Sequence, residues 1–218
     1  MQAFTRLTAT ACPLPLSGID TDQLIPARFM SRARADGYGG HLLYDLRFRD
    51  DGTPIEDFPL NHPERAGARI LVARRSFGTG SSREAAVYAL VDYGVRCVVA
   101  PSFGDIFAAN AVNNGLLPSR VEESDGERLL RLLATGITQI TIDLENCQIH
   151  AEDTVMPFVI DPVWRTKLLN GWDDIDLTMS RLPEIRAFAA EDATRRPWAQ
   201  PRAIHDTPSV STNGPQPV

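Results

Sequence analysis

The sequence predicts an α/β domain built on a partly parallel sheet, with a helical extension toward its C-terminal end. Two stretches carry that expectation. In the centre, "ARILVAR" (68–74) is a short apolar run with strand chemistry. A glycine-broken loop follows, then a helix over about 82–93 closed by Gly94, a second apolar run "RCVVAPS" (96–102) and a helix over about 103–113. Strand–helix–strand–helix with short connections places the two strands side by side and parallel, through a right-handed crossover. Further on, "ITQITIDLE" (137–145) and "CQIHAEDTVMPFVI" (147–160) alternate with period two, as the arms of an antiparallel hairpin do.

The remaining elements follow in order. Residues 4–16 read as a strand that runs into the turn "LSGIDTD". The arginine-rich segment 26–50, interrupted by Gly37, Gly39 and Gly40, reads as two short helical pieces about a flexible loop. Residues 51–67 hold Pro54, Pro59 and Pro63 and read as surface connection. "RLLRLLA" (128–134) is helical, and "DPVWRTKLLNG" (161–171) is a punctuated helix: Asp161 caps it, Pro162 lies in its first turn and Gly171 ends it. A last helix covers about 181–191, and from Arg195 the proline-rich, polar chain is expected to be disordered.

Composition narrows the function. The 218 residues, 43% hydrophobic and 23% charged, suit a soluble globular protein with one large domain, or a domain with a subdomain and tail. A net charge of -6 disfavours nucleic acid and anionic membrane surfaces, which require a positive field. No apolar run approaches the roughly 20 residues of a membrane span. "LTATAC" (7–12) faintly imitates a lipoprotein signal, but it is threonine-rich and stops at Pro13, short of the ~7–15 apolar residues of a signal core. A cytoplasmic protein is therefore expected. Cys12, Cys97 and Cys147 are widely spaced and odd in number, which suits neither a disulfide framework nor a zinc or iron–sulfur site held by this chain alone. Any metal chemistry would have to come from another chain.

The junction "FGTGSSRE" (77–84) is where chemistry is expected. Ser81 and Glu84 have capping-box spacing, a purely structural arrangement. Capping does not account for Gly78 and Gly80, which suggest positive φ or close backbone approach, nor for Arg83 beside the first-turn amides. Free N–H groups, the positive helix end and a guanidinium together suit a carboxylate or phosphate. A nucleotide P-loop is excluded because the single lysine is Lys167. A dinucleotide fingerprint fails at Arg83, and a serine-hydrolase elbow is absent. His41, His62, His150 and His205 all lie outside this unit. A serine hydroxyl is a poor base by itself; at a dry helix start beside Arg83 its alkoxide is stabilised, so it could take a proton from an acidified carbon.

Together "GIDTDQLIPARF" (18–29), "HLLYDLRF" (41–48), "FGTGSSRE", "DYG" (92–94) and "VVAPSFGDIFAANAVNNGLLP" (98–118) resemble the small subunit of bacterial 3-isopropylmalate dehydratase, the swivel-domain member of the aconitase superfamily. The resemblance covers about residues 4–190. It implies a three-layer β/β/α swivelling domain, placed over 1–192, while the composition of 193–218 leaves that stretch as the expected disordered tail. It also implies a large-subunit partner that holds a [4Fe–4S] cluster, no cofactor bound by this chain, and a small hydroxy-dicarboxylic acid substrate. In the family, the paired enzyme interconverts 2- and 3-isopropylmalate through an alkene in leucine biosynthesis, one iron acting as Lewis acid on the departing hydroxyl. By the same match Ser81 takes and returns the proton, Ser82 and Arg83 hold a substrate carboxylate, and Asp22 with Thr21 borders the pocket.

Each assignment has a plainer rival. Asp20 and Asp22 are also good turn residues, Asn113 and Asn114 good helix terminators, and Arg28, Arg32 and Arg34 a solvated face; the family instead suggests that the segment after "ARF" is a loop over the substrate's side group. Two positions depart from the family pattern, Thr79 for the usual cysteine and Ala85 for the usual histidine. They leave open a paralogue acting on another substituted malate, or a dicarboxylate-binding module without catalysis.

Overall fold

The structure, a computed structural model, describes residues 1–31 and 33–199. Seven strands form one sheet in the order β4-β3-β2-β1-β5-β6-β7. The strands are β1 (Arg6–Leu14), β2 (Ile70–Ala73), β3 (Cys97–Ala100), β4 (Leu117–Arg120), β5 (Gln139–Asp143), β6 (Gln148–Ala151) and β7 (Thr154–Pro157). The helices are α1 (Thr21–Leu24), α2 (Tyr44–Arg47), α3 (Glu84–Tyr93), α4 (Asp105–Asn113), α5 (Glu123–Ala134), α6 (Pro162–Asn170), α7 (Asp174–Met179) and α8 (Leu182–Arg195).

The long first strand makes the sheet mixed. Ala11–Leu14 pair in parallel with Ile70–Ala73, whereas Arg6–Thr10 pair antiparallel with β5. β2, β3 and β4 continue the parallel half, as the central strand–helix pattern requires, and β5, β6 and β7 form the antiparallel half. Arg120 and Val159 exchange two backbone hydrogen bonds (3.2 and 2.7 Å), so the segment just after β7 returns to the free edge of β4 and the sheet curls.

Alternation along the strands then separates two cores. One face of the parallel half (Cys12, Leu14, Leu71, Ala73, Val98, Ala100) packs under α1, α3 and α4 through Leu24, Val87, Leu90 and Phe107. The other face (Ala11, Ile70, Val72, Val99) meets Ile140, Ile142, Ile149 and Met156 of the antiparallel half. Leu129, Leu130 and Leu133 of α5 join this second core, so the mixed sheet is packed by helices through both cores, in the α/β class expected.

Several sequence expectations are refined. The expected hairpin over 137–160 is three strands, because Glu152–Asp153 makes a second tight turn with Glu152 at φ 48. Segment 26–50 holds 3₁₀ turns and the four-residue α2 in place of two helical pieces. Asp161 caps α6 by accepting from Val163 N and Trp164 N, and Gly171 closes it at φ 70, as the sequence indicated.

The chain divides into two compact units, Met1–Leu177 and Thr178 onward. In the second, α8 runs to Arg195, past the sequence-based boundary at 192, and a 3₁₀ turn follows at Pro197–Ala199; the remainder of the expected tail, 200–218, lies outside the described residues. Among the described residues no helix is long and apolar enough to cross a membrane.

Candidate functional site

The C-terminal ends of parallel strands are where open α/β sheets carry ligands, and here three of them converge on the segment 77–83. After β2 the chain enters a run of left-handed residues, Ser76 (φ 63), Gly78 (φ 70) and Gly80 (φ 100). On one side it is tied to the turn after β1: Gly78 N donates to Ile19 O (2.7 Å) and Thr21 N to Thr79 O (2.9 Å). On the other it is tied to the turn after β3, with Phe77 N donating to Ser102 O (3.0 Å) and Gly104 N to Phe77 O (2.9 Å).

Both glycines on this side are required by space. A Cβ on Gly78 would stand 2.6 Å from Phe107 Cδ1 and Cδ2, and one on Gly104 would stand 2.5 Å from Gly78 O. Loop, α4 ring and the residue before α4 are therefore packed backbone against side chain, and the loop is fixed from below.

This scaffold brings all five sequence-predicted site residues together. Thr21 is buried, and its hydroxyl donates to Ser81 O (3.0 Å), holding the serine's backbone from α1. Ser81 and Ser82 are exposed, with Ser81 three residues before the first residue of α3. Arg83 is the helix N-cap, its side chain 23% exposed, and its guanidinium pairs with the carboxylate of Asp22. Asp22, itself half exposed, thus locks the rotamer of the residue expected to meet a carboxylate.

The capping box expected between Ser81 and Glu84 is not formed. α3 begins at Glu84, and Arg83 makes no side-chain cap bond. A tertiary partner takes Glu84 instead: Asn114 Nδ2 donates to its Oε1 at 3.0 Å. Burial first, and then the neighbouring Glu84 carboxylate, pushes the Tyr88 hydroxyl above its ordinary pKa. The box forms at Asp20 and Gln23 of α1, so Asp20 acts as a turn residue while Asp22 faces the site. Leaving Ser81 and the start of α3 uncapped keeps a hydroxyl and first-turn amides available to a ligand.

The other motif residues sort by their contacts. Asn113 is the last residue of α4 and accepts from Lys167 Nζ (2.5 Å); Asn114 caps the helix and also holds Glu84, a second role its sequence position did not reveal. Arg28 pairs with Asp45 and lies 4.6 Å over the Phe29 ring, and Arg34 grips Asp92, so neither is a bare solvated charge; position 32 lies outside the described residues. The two departures leave the site's frame in place. Thr79 contributes its backbone carbonyl, and Ala85 packs on the helical-side core.

Iron–sulfur ligation does not fit this chain's donors. Cys12 and Cys97 are buried in the strands, and burial pushes each thiol up to about 12, which opposes the thiolate a cluster binds. Among the described residues no three Cys, His, Asp or Glu side chains converge as a metal site.

Comparison with known proteins bears on the family and the fold. Residues 1–124 match the aconitase C-terminal domain family. The chain is 46% identical to the 3-isopropylmalate dehydratase small subunit of Brucella canis, over 91% of this chain and 100% of that one. It is 45% identical to the corresponding subunit of Rhodospirillum centenum, over 91% and 99%. A crystal structure of 3-isopropylmalate dehydratase from Methanocaldococcus jannaschii superposes with a TM-score of 0.60 at 24% identity, covering 84% of this chain and 99% of that one, which speaks to the fold. The chain belongs to the 3-isopropylmalate dehydratase small-subunit family, within the aconitase C-terminal domain group.

Proposed function

We propose that this chain is the small subunit of a cytoplasmic 3-isopropylmalate dehydratase, a hydro-lyase that works with a large subunit to interconvert 2- and 3-isopropylmalate in leucine biosynthesis. The carrying observation is the loop 77–83, which presents exposed Ser81 and Ser82 beside Arg83 at an uncapped helix start and is held from below by Thr21 and Phe107. A [4Fe–4S] cluster belongs, in this reading, to the large subunit, since the thiols here do not suit it.

The roles of this chain's residues follow from charge. Asp22 holds the Arg83 guanidinium, which carries five N–H donors in a planar fork, so donors remain for a substrate carboxylate. Ser82 and the first-turn amides of α3 add hydrogen bonds to the same carboxylate. With that anion seated, Ser81 Oγ, as its alkoxide, takes the proton from the neighbouring carbon while the C–O bond on the next carbon breaks and its hydroxyl leaves as hydroxide. On rehydration hydroxide adds back to the alkene and Ser81 returns the proton to carbon. The guanidinium and the positive end of α3 stabilise the transient alkoxide. Thr21 sets where Ser81 stands through its carbonyl.

The test is reconstitution with the large subunit. Ser81→Ala should abolish turnover of isopropylmalate while the chain keeps its circular dichroism and its partner. Arg83→Lys should lower kcat/KM ten-fold or more, on the order of 1.4 kcal/mol per decade. A near-normal rate in Ser81→Ala would overturn the assigned role. Citrate and methyl- and benzyl-substituted malates tested alongside would expose a different substrate.

A further inference from the structure

We propose that Asp92 and Arg34 are positioning residues for the site: together they clasp the loop that leaves and rejoins α1 onto α3, and so fix the substrate's surroundings. The clasp is built on the structure; its consequence for substrate rests on the function proposed above.

The loop starts where the site does. α1 carries Thr21 and Asp22, and the chain departs from its end at Pro26; it comes back when Leu43 N donates to Leu24 O at 3.0 Å. Between these points residues 33–41 have no strand or α-helix of their own, only 3₁₀ turns. Their place is set by α3. Arg34 Nη1 and Nη2 donate to the two oxygens of Asp92 at 2.6 and 2.8 Å, a two-pronged ion pair, and Tyr38 N donates to Asp92 Oδ2 at 2.7 Å. The Asp92 side chain is only 17% exposed, so solvent screens the pair weakly on that side. The guanidinium also lies 4.3 Å over the Tyr88 ring. Gly39 rests directly on the helix backbone, where a Cβ would stand 2.6 Å from Asp92 C and Tyr93 N.

The grip runs along a single helical stripe. Residues 84, 88 and 92 are spaced by four and lie above one another on α3. Arg34 holds the last two, lying over the Tyr88 ring and pairing with Asp92, and Glu84 at the head of the stripe is the first residue after Arg83. The loop beside Asp22 and the helix that begins at Arg83 are thereby locked in mutual register. Nothing in the clasp offers a proton to substrate, so its loss should move binding and leave the proton-transfer step alone.

Two arms test this with Arg34→Gln, Asp92→Asn and Arg34→Lys. In the full chain alone, hydrogen exchange over residues 35–43 should rise about ten-fold or more in Arg34→Gln and Asp92→Asn, less in Arg34→Lys, with residues 97–100 unchanged. In the enzyme assembled with its large subunit, KM for isopropylmalate should rise about ten-fold, with kcat within two-fold of wild type and the pH profile unmoved; Arg34→Lys should recover part of the loss. Unchanged exchange in both charge-removing variants overturns the clasp. Raised exchange with an unchanged KM, or a collapsed kcat with a shifted pH profile, overturns the positioning role. A wild-type pair that fails to turn over isopropylmalate defeats the proposed function instead, and the exchange arm then still decides the clasp.

Discussion

Replacing Gly78 by alanine tests how the site loop is held. The residue sits at φ 70, where an L side chain costs about 1–2 kcal/mol. Its Cβ would also press on the Phe107 ring, 2.6 Å from two ring carbons, in a spot closed from the far side by Gly104. Overpacking of a filled core adds about 1–3 kcal/mol, so the single variant should lose about 2–5 kcal/mol of unfolding free energy. Phe107→Ala alone should cost about 3–5 kcal/mol through the cavity it leaves. Removing the ring in the Gly78→Ala background removes the overlap, leaving only the backbone cost to add. The double variant should therefore be more stable than the sum by about 1–3 kcal/mol. Urea unfolding followed by circular dichroism of the four proteins measures this cycle. A loss under about 1 kcal/mol in Gly78→Ala, or strict additivity within about 0.5 kcal/mol, would refute the packing account.

Three further outcomes are expected. Thr21→Val removes the hydroxyl that holds Ser81 O and should cost about 0.5–1.5 kcal/mol of stability while lowering kcat of the assembled enzyme; unchanged kcat would show that Ser81 is placed by other contacts. Asp161→Ala deletes both bonds that cap α6 and should cost about 0.5–2 kcal/mol by thermal unfolding, with turnover unaffected. The thiols of Cys12 and Cys97, pushed up to about 12 by burial, stay protonated in the folded chain while the unfolded chain ionises near pH 9. Their contribution is thus complete below pH 9 and should decline as pH rises from about 9 toward 12, by about 1.4 kcal/mol per pH unit for each thiol; urea titrations across that range, with Cys97→Ser as control, measure the slope.

The parallel half of the sheet and the ends of its helices were legible because their signals are local. β-branched strands, Gly94 ending α3, and Asp161 and Gly171 bounding α6 each act within a few residues. What escaped was decided at a distance. Glu84 has capping spacing to Ser81, but Asn114, thirty residues away, takes it. The third antiparallel strand hinged on Glu152 accepting a left-handed backbone, which no glycine announced. The grip of Arg34 on Asp92 joins residues 58 apart in a segment whose glycines and arginines suggested only a loop.

The meeting of Arg120 with Val159 has a bearing on how the subunit behaves before it finds company. An open seven-stranded sheet exposes two rims of unused N–H and C=O groups, each a template on which a stray strand from another copy can grow. Here the end of the β4 rim is occupied by the chain that leaves β7, and the backbone groups of Arg120 and Val159 satisfy one another. A stray strand therefore finds that corner of the rim already taken by the chain itself.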